Sequence, residues 1–249
     1  MKIILTGSRG FIGHHLKYQL QELGHEIDEW DTSINRDISL FATTSNIEAD
    51  YFIHLAARAD VRASIKDPEF YWQNNVKNTT QIQWLCHNKN IPLMYASSSC
   101  IHNWWLSPYG TSKKVNEETA FAGQTALRFT TVYGSGARES MFIGKLLRGE
   151  VKHLTNHIRD FIHVDDVVDA ILLLLYTDPD KLLPAYDIGT GKGNSVEYLG
   201  KMMGLDVPVT DGESCEAKDN TADNTALRDL GWEPKVNVEK YLLIHKNGV

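Results

Sequence analysis

A tyrosine and a lysine four residues apart stand at the mouth of a helix in this 249-residue sequence. In Ser107-Pro108-Tyr109-Gly110-Thr111-Ser112-Lys113, the serine and proline read as a helix start. The serine caps the first turn, and the proline lacks an N–H that would find no partner there anyway. Positions four apart share a helix face, so Tyr109 and Lys113 lie one turn from each other. A free phenol titrates near ~10 and is a poor base at neutral pH. Nearby positive charge favours the phenolate, which lets a tyrosine take a proton from a substrate hydroxyl. A bare Tyr-x-x-x-Lys is common on helices, where packing and a solvated lysine explain it. Order makes this one specific: Ser97, Ser98 and Ser99 close the preceding apolar run, where a hydroxyl can orient the reacting group.

Residues 4–13, Ile-Leu-Thr-Gly-Ser-Arg-Gly-Phe-Ile-Gly, carry Gly7, Gly10 and Gly13 between a strand and a helix. Such glycines allow a tight turn, close approach of backbone to a pyrophosphate, and close helix–strand packing. The helix start then offers its N–H groups to the phosphates. Gly7, Arg9, Gly10, Phe11, Ile12 and Gly13 are the expected cradle of a dinucleotide. Asp31 closes the second strand, 24 residues after Gly7. A carboxylate there hydrogen-bonds the ribose hydroxyls and repels a 2′-phosphate, which selects NAD over NADP. Arg9 pulls the other way, because an arginine in the loop suits a 2′-phosphate. With NAD in place, hydride leaves the carbon that bears the hydroxyl while Tyr109 takes the proton of that hydroxyl; Lys113 holds the nicotinamide ribose, and both cations lower the phenol.

These groups need a scaffold that brings strand ends to one edge. Apolar runs at 2–7, 26–30, 51–57, 92–98 and 125–134 alternate with helical patterns at 11–23 and about 68–88. That alternation implies parallel strands with right-handed crossovers. The expected fold is α/β, a Rossmann-type doubly wound parallel sheet with a smaller C-terminal cap. After Gly134 the rhythm loosens: 159–176 reads as a strand end and a buried helix, 185–195 as a strand and a glycine turn. The expected division is 1–133 with 161–190 for the cofactor domain, and 134–160 with 191–249 for the cap.

Composition is that of an ordinary globular chain, 42% hydrophobic and 23% charged. A net charge of −7 argues against nucleic acid or an anionic membrane surface as partner. The start, Met-Lys-Ile-Ile-Leu-Thr-Gly, is too short for a signal-peptide core, and the apolar run 170–176 falls well short of the ~20 residues that cross a bilayer. Cys86, Cys100 and Cys215 lack metal-type spacing, and three thiols cannot all pair. A reducing cytoplasm is the expected location, with no metal.

Several stretches, in order, resemble the extended short-chain dehydrogenase/reductase family, and within it the nucleotide-sugar epimerase/dehydratase branch. They are 6–13, 54–57, 74–79, 95–99, 107–113, 127–134, 159–168 and 186–195, nearly the whole chain. The resemblance implies a Rossmann domain with bound nicotinamide cofactor and a cap holding a nucleoside-diphosphate sugar. It implies Tyr109 as base, Lys113 as its partner and Ser98 as helper, with Ser99 the neighbouring choice. It matches Asp37 and Ile38 to an Asp-Ile pair near the adenine, and Leu55, Ala56 and Ala57 to residues under the pyrophosphate. Asn75 matches an asparagine beside the active site, and Arg159 an arginine that grips the diphosphate, a task suited to its fork. His54 stays structural. Relatives dimerise through the tyrosine helix and the long helix before it, so Tyr71, Ile82 and Leu85 fit a homodimer seam or a core.

The departures narrow the function. Dehydratases carry Asp-Glu after the helper residue; here Ser99 and Cys100 follow, which disfavours dehydration. Ser98–His102 resembles instead the Ser-Ser-Cys-Ile-Tyr of GDP-fucose synthases, in which a cysteine of lowered pKa does acid/base work. Cys100 is thus a catalytic candidate or a small buried residue. The family's asparagine before Val-Tyr-Gly is Thr131, and its arginine before Gly-Glu falls at Glu213. Ser99, Thr131 and Arg159 are the expected substrate contacts. The leading expectation is an NAD-dependent epimerase acting through a transient 4-keto sugar. A reductase or dehydrogenase of the same fold is the alternative, and a non-catalytic dinucleotide binder is a third.

Overall fold

The computed structural model describes residues 1–39 and 47–246. Its strands are β1 (Lys2–Thr6), β2 (Glu26–Trp30), β3 (Tyr51–His54), β4 (Leu93–Ser98), β5 (Gln124–Phe129), β6 (Thr131–Tyr133), β7 (Leu154–Thr155), β8 (Ile158–Arg159), β9 (Phe161–His163), β10 (Ala185–Ile188), β11 (Asn194–Ser195) and β12 (Val209–Thr210). Its helices are α1 (Phe11–Glu22), α2 (Val61–Lys66), α3 (Pro68–Tyr71), α4 (Asn78–Lys89), α5 (Pro108–Glu118), α6 (Phe142–Leu147), α7 (Val164–Tyr176), α8 (Val196–Met202), α9 (Thr225–Asp229) and α10 (Val238–His245).

One sheet runs β2-β1-β3-β4-β5-β10, all parallel, as the strand–helix alternation predicts. Strand order reverses between β1 and β3, where doubly wound sheets bind their ligands. Successive side chains point to opposite faces. Ile3, Leu5, Ile53, Met94 and Leu127 face α1 and α7 in one apolar cluster. Ile4, Phe52, Leu93, Tyr95 and Ala126 meet Ile82 and Cys86 of α4 in another. Both faces are covered, so the strands read as continuous apolar runs rather than alternating ones.

A third cluster, holding Tyr133, Leu146, Leu154, Phe161, Leu199 and Leu242, gathers the short C-terminal elements. The run 125–134, expected as one strand, is two. The chain leaves the sheet at Thr130, whose N–H goes to Ile188 O, and Thr131 donates to Asp160 O as β6 joins β9. Asp160 makes that corner. Its buried carboxylate accepts Thr190 N–H and Oγ1–H (2.8 and 2.6 Å), Gly191 N–H (2.9 Å) and Ala222 N–H (3.2 Å). The helix expected at 68–88 is continuous in space but carries a π-helical turn over Trp72–Lys77 between α3 and α4. Strand β3 ends at His54, three residues short of the expected 51–57 run. No helix among the described residues is long and apolar enough to cross a membrane.

Candidate functional site

Gly7 follows β1 with φ +69°, a conformation that only glycine adopts cheaply. A Cβ there would lie 2.7 Å from Ala56 N and 2.9 Å from its Cα. One on Gly13 would lie 2.0 Å from Gly7 O, so the first turn of α1 rests directly on the loop. Gly10 is the N-cap and has no side chain to satisfy the leading N–H groups of Phe11, Ile12 and Gly13. The floor is tied down from β1: Leu55 N–H donates to Thr6 O, and Ala56 N–H to Thr6 Oγ1. Thr6 Oγ1 also meets His54 Nδ1 at 2.6 Å, and His54 Nε2 meets Thr79 Oγ1 at 2.9 Å. Burial pulls that imidazole down to about 3, so His54 is a neutral bracket, as expected.

Asp31 sits beside this cradle. Its Oδ2 accepts Arg9 N–H (3.1 Å), while Oδ1 accepts Ser33 N–H and Oγ–H (2.9 and 2.8 Å). The Arg9 guanidinium turns away to Glu29 (3.1 Å), which Lys17 also reaches (3.2 Å). Glu29 therefore holds the loop cation that would otherwise suit a 2′-phosphate. Cradle and carboxylate together fit NAD. Asp37 Oδ1 accepts Ser39 N–H, and Ile38 packs into the cluster with Phe52 and Trp30. Asn75 is fully buried: Oδ1 accepts Arg58 N–H, and Nδ2 donates to Arg58 O and Ser112 Oγ. It ties the loop after β3 to α5.

After the short helical stretch Ser99–Leu106 that follows β4, Ser107 Oγ caps α5 by accepting Gly110 N–H, with Pro108 in the first turn. Gly110 must be small, since a Cβ would lie 2.9 Å from Trp104 O. Trp104 and Trp105 form an exposed edge-to-face pair. Tyr109 is buried, edge-on to Tyr71, and its N–H donates to Ser64 Oγ. Lys113 Nζ donates to Ala96 O at 2.8 Å and lies 5.9 Å from the Tyr109 ring centroid. Ser98 Oγ accepts Cys100 N–H and is the hydroxyl that eases Tyr109 ionisation.

The electrostatics differ from the sequence expectation. Burial pushes the Tyr109 phenol well above its ordinary range, and Cys100 adds to that; Ser98 and then Arg138 pull it down, without bringing it below normal. Arg138, in the run after β6, is the cation that acts on the phenol. Its own fork reaches over to Ala59 O (3.4 Å). Burial lowers Lys113 to about 8, opposed by Glu117 and Cys100. Burial also raises the Cys100 thiol, the opposite direction from the lowered pKa that a fucose-synthase-like role needs.

Among substrate candidates, Ser99 Oγ and Thr131 Oγ1 are brought together by Asn220, whose Nδ2 donates to both (3.4 and 3.1 Å). Sequence reading missed Asn220 and Arg138; neither belongs to a local motif. Arg159 turns its fork into its own chain. Nη1 donates to Ile158 O and Ala217 O, and Nη2 to His157 Nδ1 and Glu216 Oε2 (3.1 Å). Of the seam candidates, Tyr71 and Ile82 are core residues. Phe70, Trp72 and Trp84 are exposed on that helix, and the two tryptophans line a groove of about 580 Å³.

A parallel sheet with a glycine cradle at its switch point and a tyrosine–lysine helix two strands away defines a Rossmann-type nucleotide-binding protein. Residues 3–189 match the NAD dependent epimerase/dehydratase family, and the chain belongs to it. It is 30% identical to protein CapI of Staphylococcus aureus, over 88% of this chain and 83% of that one. It is 28% identical to a UDP-glucose 4-epimerase of Pisum sativum, over 96% and 93%. Among solved structures, MoeE5 in complex with UDP-glucose and NAD superposes with a TM-score of 0.87, at 28% identity over 99% and 97%.

Proposed function

We propose that the chain is an NAD-dependent epimerase of a nucleoside-diphosphate sugar, redox-neutral overall and acting through a transient 4-keto sugar. The observation that carries this reading is the triad at the end of β4: Tyr109 over Lys113, with Ser98 beside the phenol. The cradle Gly7–Gly13 with Asp31 holds the cofactor. When bound, NAD would supply a positively charged ring that accepts hydride from the sugar carbon and returns it to the opposite face after the keto sugar has turned over in the pocket. Tyr109 Oη takes the proton of the 4-hydroxyl and gives it back to the ketone oxygen. Ser98 Oγ orients that oxygen. Lys113, fixed by Ala96 O, keeps positive charge under the ring plane; Arg138 adds more from the opposite loop. Burial by itself keeps the phenol protonated, so proton transfer is tied to the arrival of further positive charge. Ser99 and Thr131, joined by Asn220, face the sugar, and Arg159 binds the diphosphate. Residues 134–160 and 191–249 form the cap that holds this substrate, over a cofactor domain of 1–133 and 161–190.

The partner proposed is a second copy of the chain, packed on the helix that exposes Trp72 and Trp84. The cytoplasmic reading rests on thiols: all three cysteines are free. The functional test is a panel of UDP-linked hexoses followed by chromatography and by absorbance at the NADH band. A new epimer without lasting NADH signal is expected. Net formation or consumption of NADH would make the chain an oxidoreductase instead.

A further inference from the structure

Glu216 is bound by two arginines, Arg62 and Arg159, beside the proposed diphosphate site. Its Oε1 accepts from Arg62 Nε (2.7 Å), and its Oε2 from Arg159 Nη2 (3.1 Å), with His157 Nδ1 at 3.5 Å. Arg62 comes from α2, which follows β3; Arg159 comes from β8. Glu216 itself lies on the run 211–217, which is pinned at its two ends. Asn156 holds one end through Thr210 O and Asp211 Oδ1. Ile158 N–H holds the other through Lys218 O (2.8 Å). Between the ends, the Glu216 carboxylate is the charged link to the arginines, and Gly212 (φ +75°) lies so close over His157 that a Cβ would sit 2.4 Å from its ring. The Glu216 side chain is about one-fifth exposed, so it stands in contact with water and with incoming ions.

A carboxylate seated between two guanidiniums fills a site shaped for an anion with a planar face. A diphosphate carries at least twice its charge and more acceptor oxygens, so it outcompetes a single carboxylate for the same fork. We propose that Glu216 is a built-in stand-in for the diphosphate of the sugar nucleotide: the ligand displaces it from Arg159 and Arg62, draws the Arg159 fork off Ala217 O, and the run 211–217 is released. This rests on the reading of Arg159 as a diphosphate-binding residue. Glu216 then sets substrate affinity by competition, although it need not touch the substrate.

The test is calorimetric titration of the NAD-loaded protein with UDP and with uridine, in wild type and Glu216→Gln. The amide keeps the size and one of the two acceptor oxygens while removing the competing charge. The variant is expected to bind UDP at least fivefold more tightly, with uridine affinity unchanged. Equal or weaker UDP binding by the variant overturns the stand-in and leaves the epimerase reading intact. UDP that binds neither protein better than uridine does overturns both. Should the variant fold poorly, hydrogen exchange on the wild type decides: UDP is expected to speed exchange at the Glu216 amide, which bonds Glu213 O. Unchanged or slowed exchange there refutes the displacement.

Discussion

Gly7→Ala separates two costs that the glycine cradle combines. The first is conformational: φ +69° places an L-residue in the left-handed region, at about 1–2 kcal/mol. The second is steric, because the new Cβ meets Ala56 N at 2.7 Å and Leu55 C at 2.9 Å. Those are backbone atoms held to Thr6, so the loop must move, at a further ~1–3 kcal/mol. The sum, about 2–5 kcal/mol, is a large share of the ~5–15 kcal/mol that holds a domain folded. Gly24 is the internal control. It follows the end of α1 with φ +77°, and a Cβ added there would meet nothing within 4 Å, so Gly24→Ala bears the conformational cost alone. Urea denaturation gives the two stabilities, and titration with NAD gives the two affinities. Gly7→Ala is expected to lose the larger stability and at least tenfold in NAD affinity; Gly24→Ala is expected to bind NAD normally. Equal losses in the two variants, with NAD binding intact in both, would refute the claim that the cradle is defined by this close approach.

Tyr109→Phe is expected to abolish turnover while leaving NAD affinity within twofold; normal turnover would remove the tyrosine from the chemistry. Lys113, lowered by burial to about 8, binds fewer protons folded than unfolded between that value and the ordinary lysine range. Each pH unit above 8 should therefore favour folding of the wild type over Lys113→Met by roughly 1 kcal/mol, read from urea midpoints at pH 8, 9 and 10. A pH-independent difference would mean that the ammonium is not held in a low-dielectric site. Asp160→Ala should cost about 3 kcal/mol, because four donors lose a buried carboxylate; a stability change under 1 kcal/mol would contradict its role at the corner. Trp84→Glu should shift sedimentation from dimer to monomer with stability of the subunit retained; an unchanged sedimentation coefficient would exclude that face as the seam.

The parts legible in the sequence are those fixed by local rules. Strands buried on both faces show as apolar runs, and Gly7 and Gly13 are required by the backbone itself. Pro108 and Ser107 announce the helix that carries Tyr109 and Lys113. Long-range contacts were not legible. The break at Thr130 depends on Asp160, thirty positions later, and the π-helical turn leaves no mark in the apolar spacing. Asn220 meets Ser99 and Thr131 across 121 and 89 residues, and Glu216 meets Arg159 across 57. The state of Tyr109 depends on burial, which a one-dimensional spacing does not report. For that reason the lysine expected to acidify the phenol proved instead to be shifted itself.

The most direct measurement follows a deuterium label. UDP-hexose deuterated at the carbon bearing the 4-hydroxyl is incubated with the NAD-loaded protein, and the product is read by NMR. The account predicts an epimer that keeps its deuterium at that carbon, because hydride leaves and returns within one closed site. Loss of the label to solvent, or inversion at a different carbon with the label untouched, would contradict it.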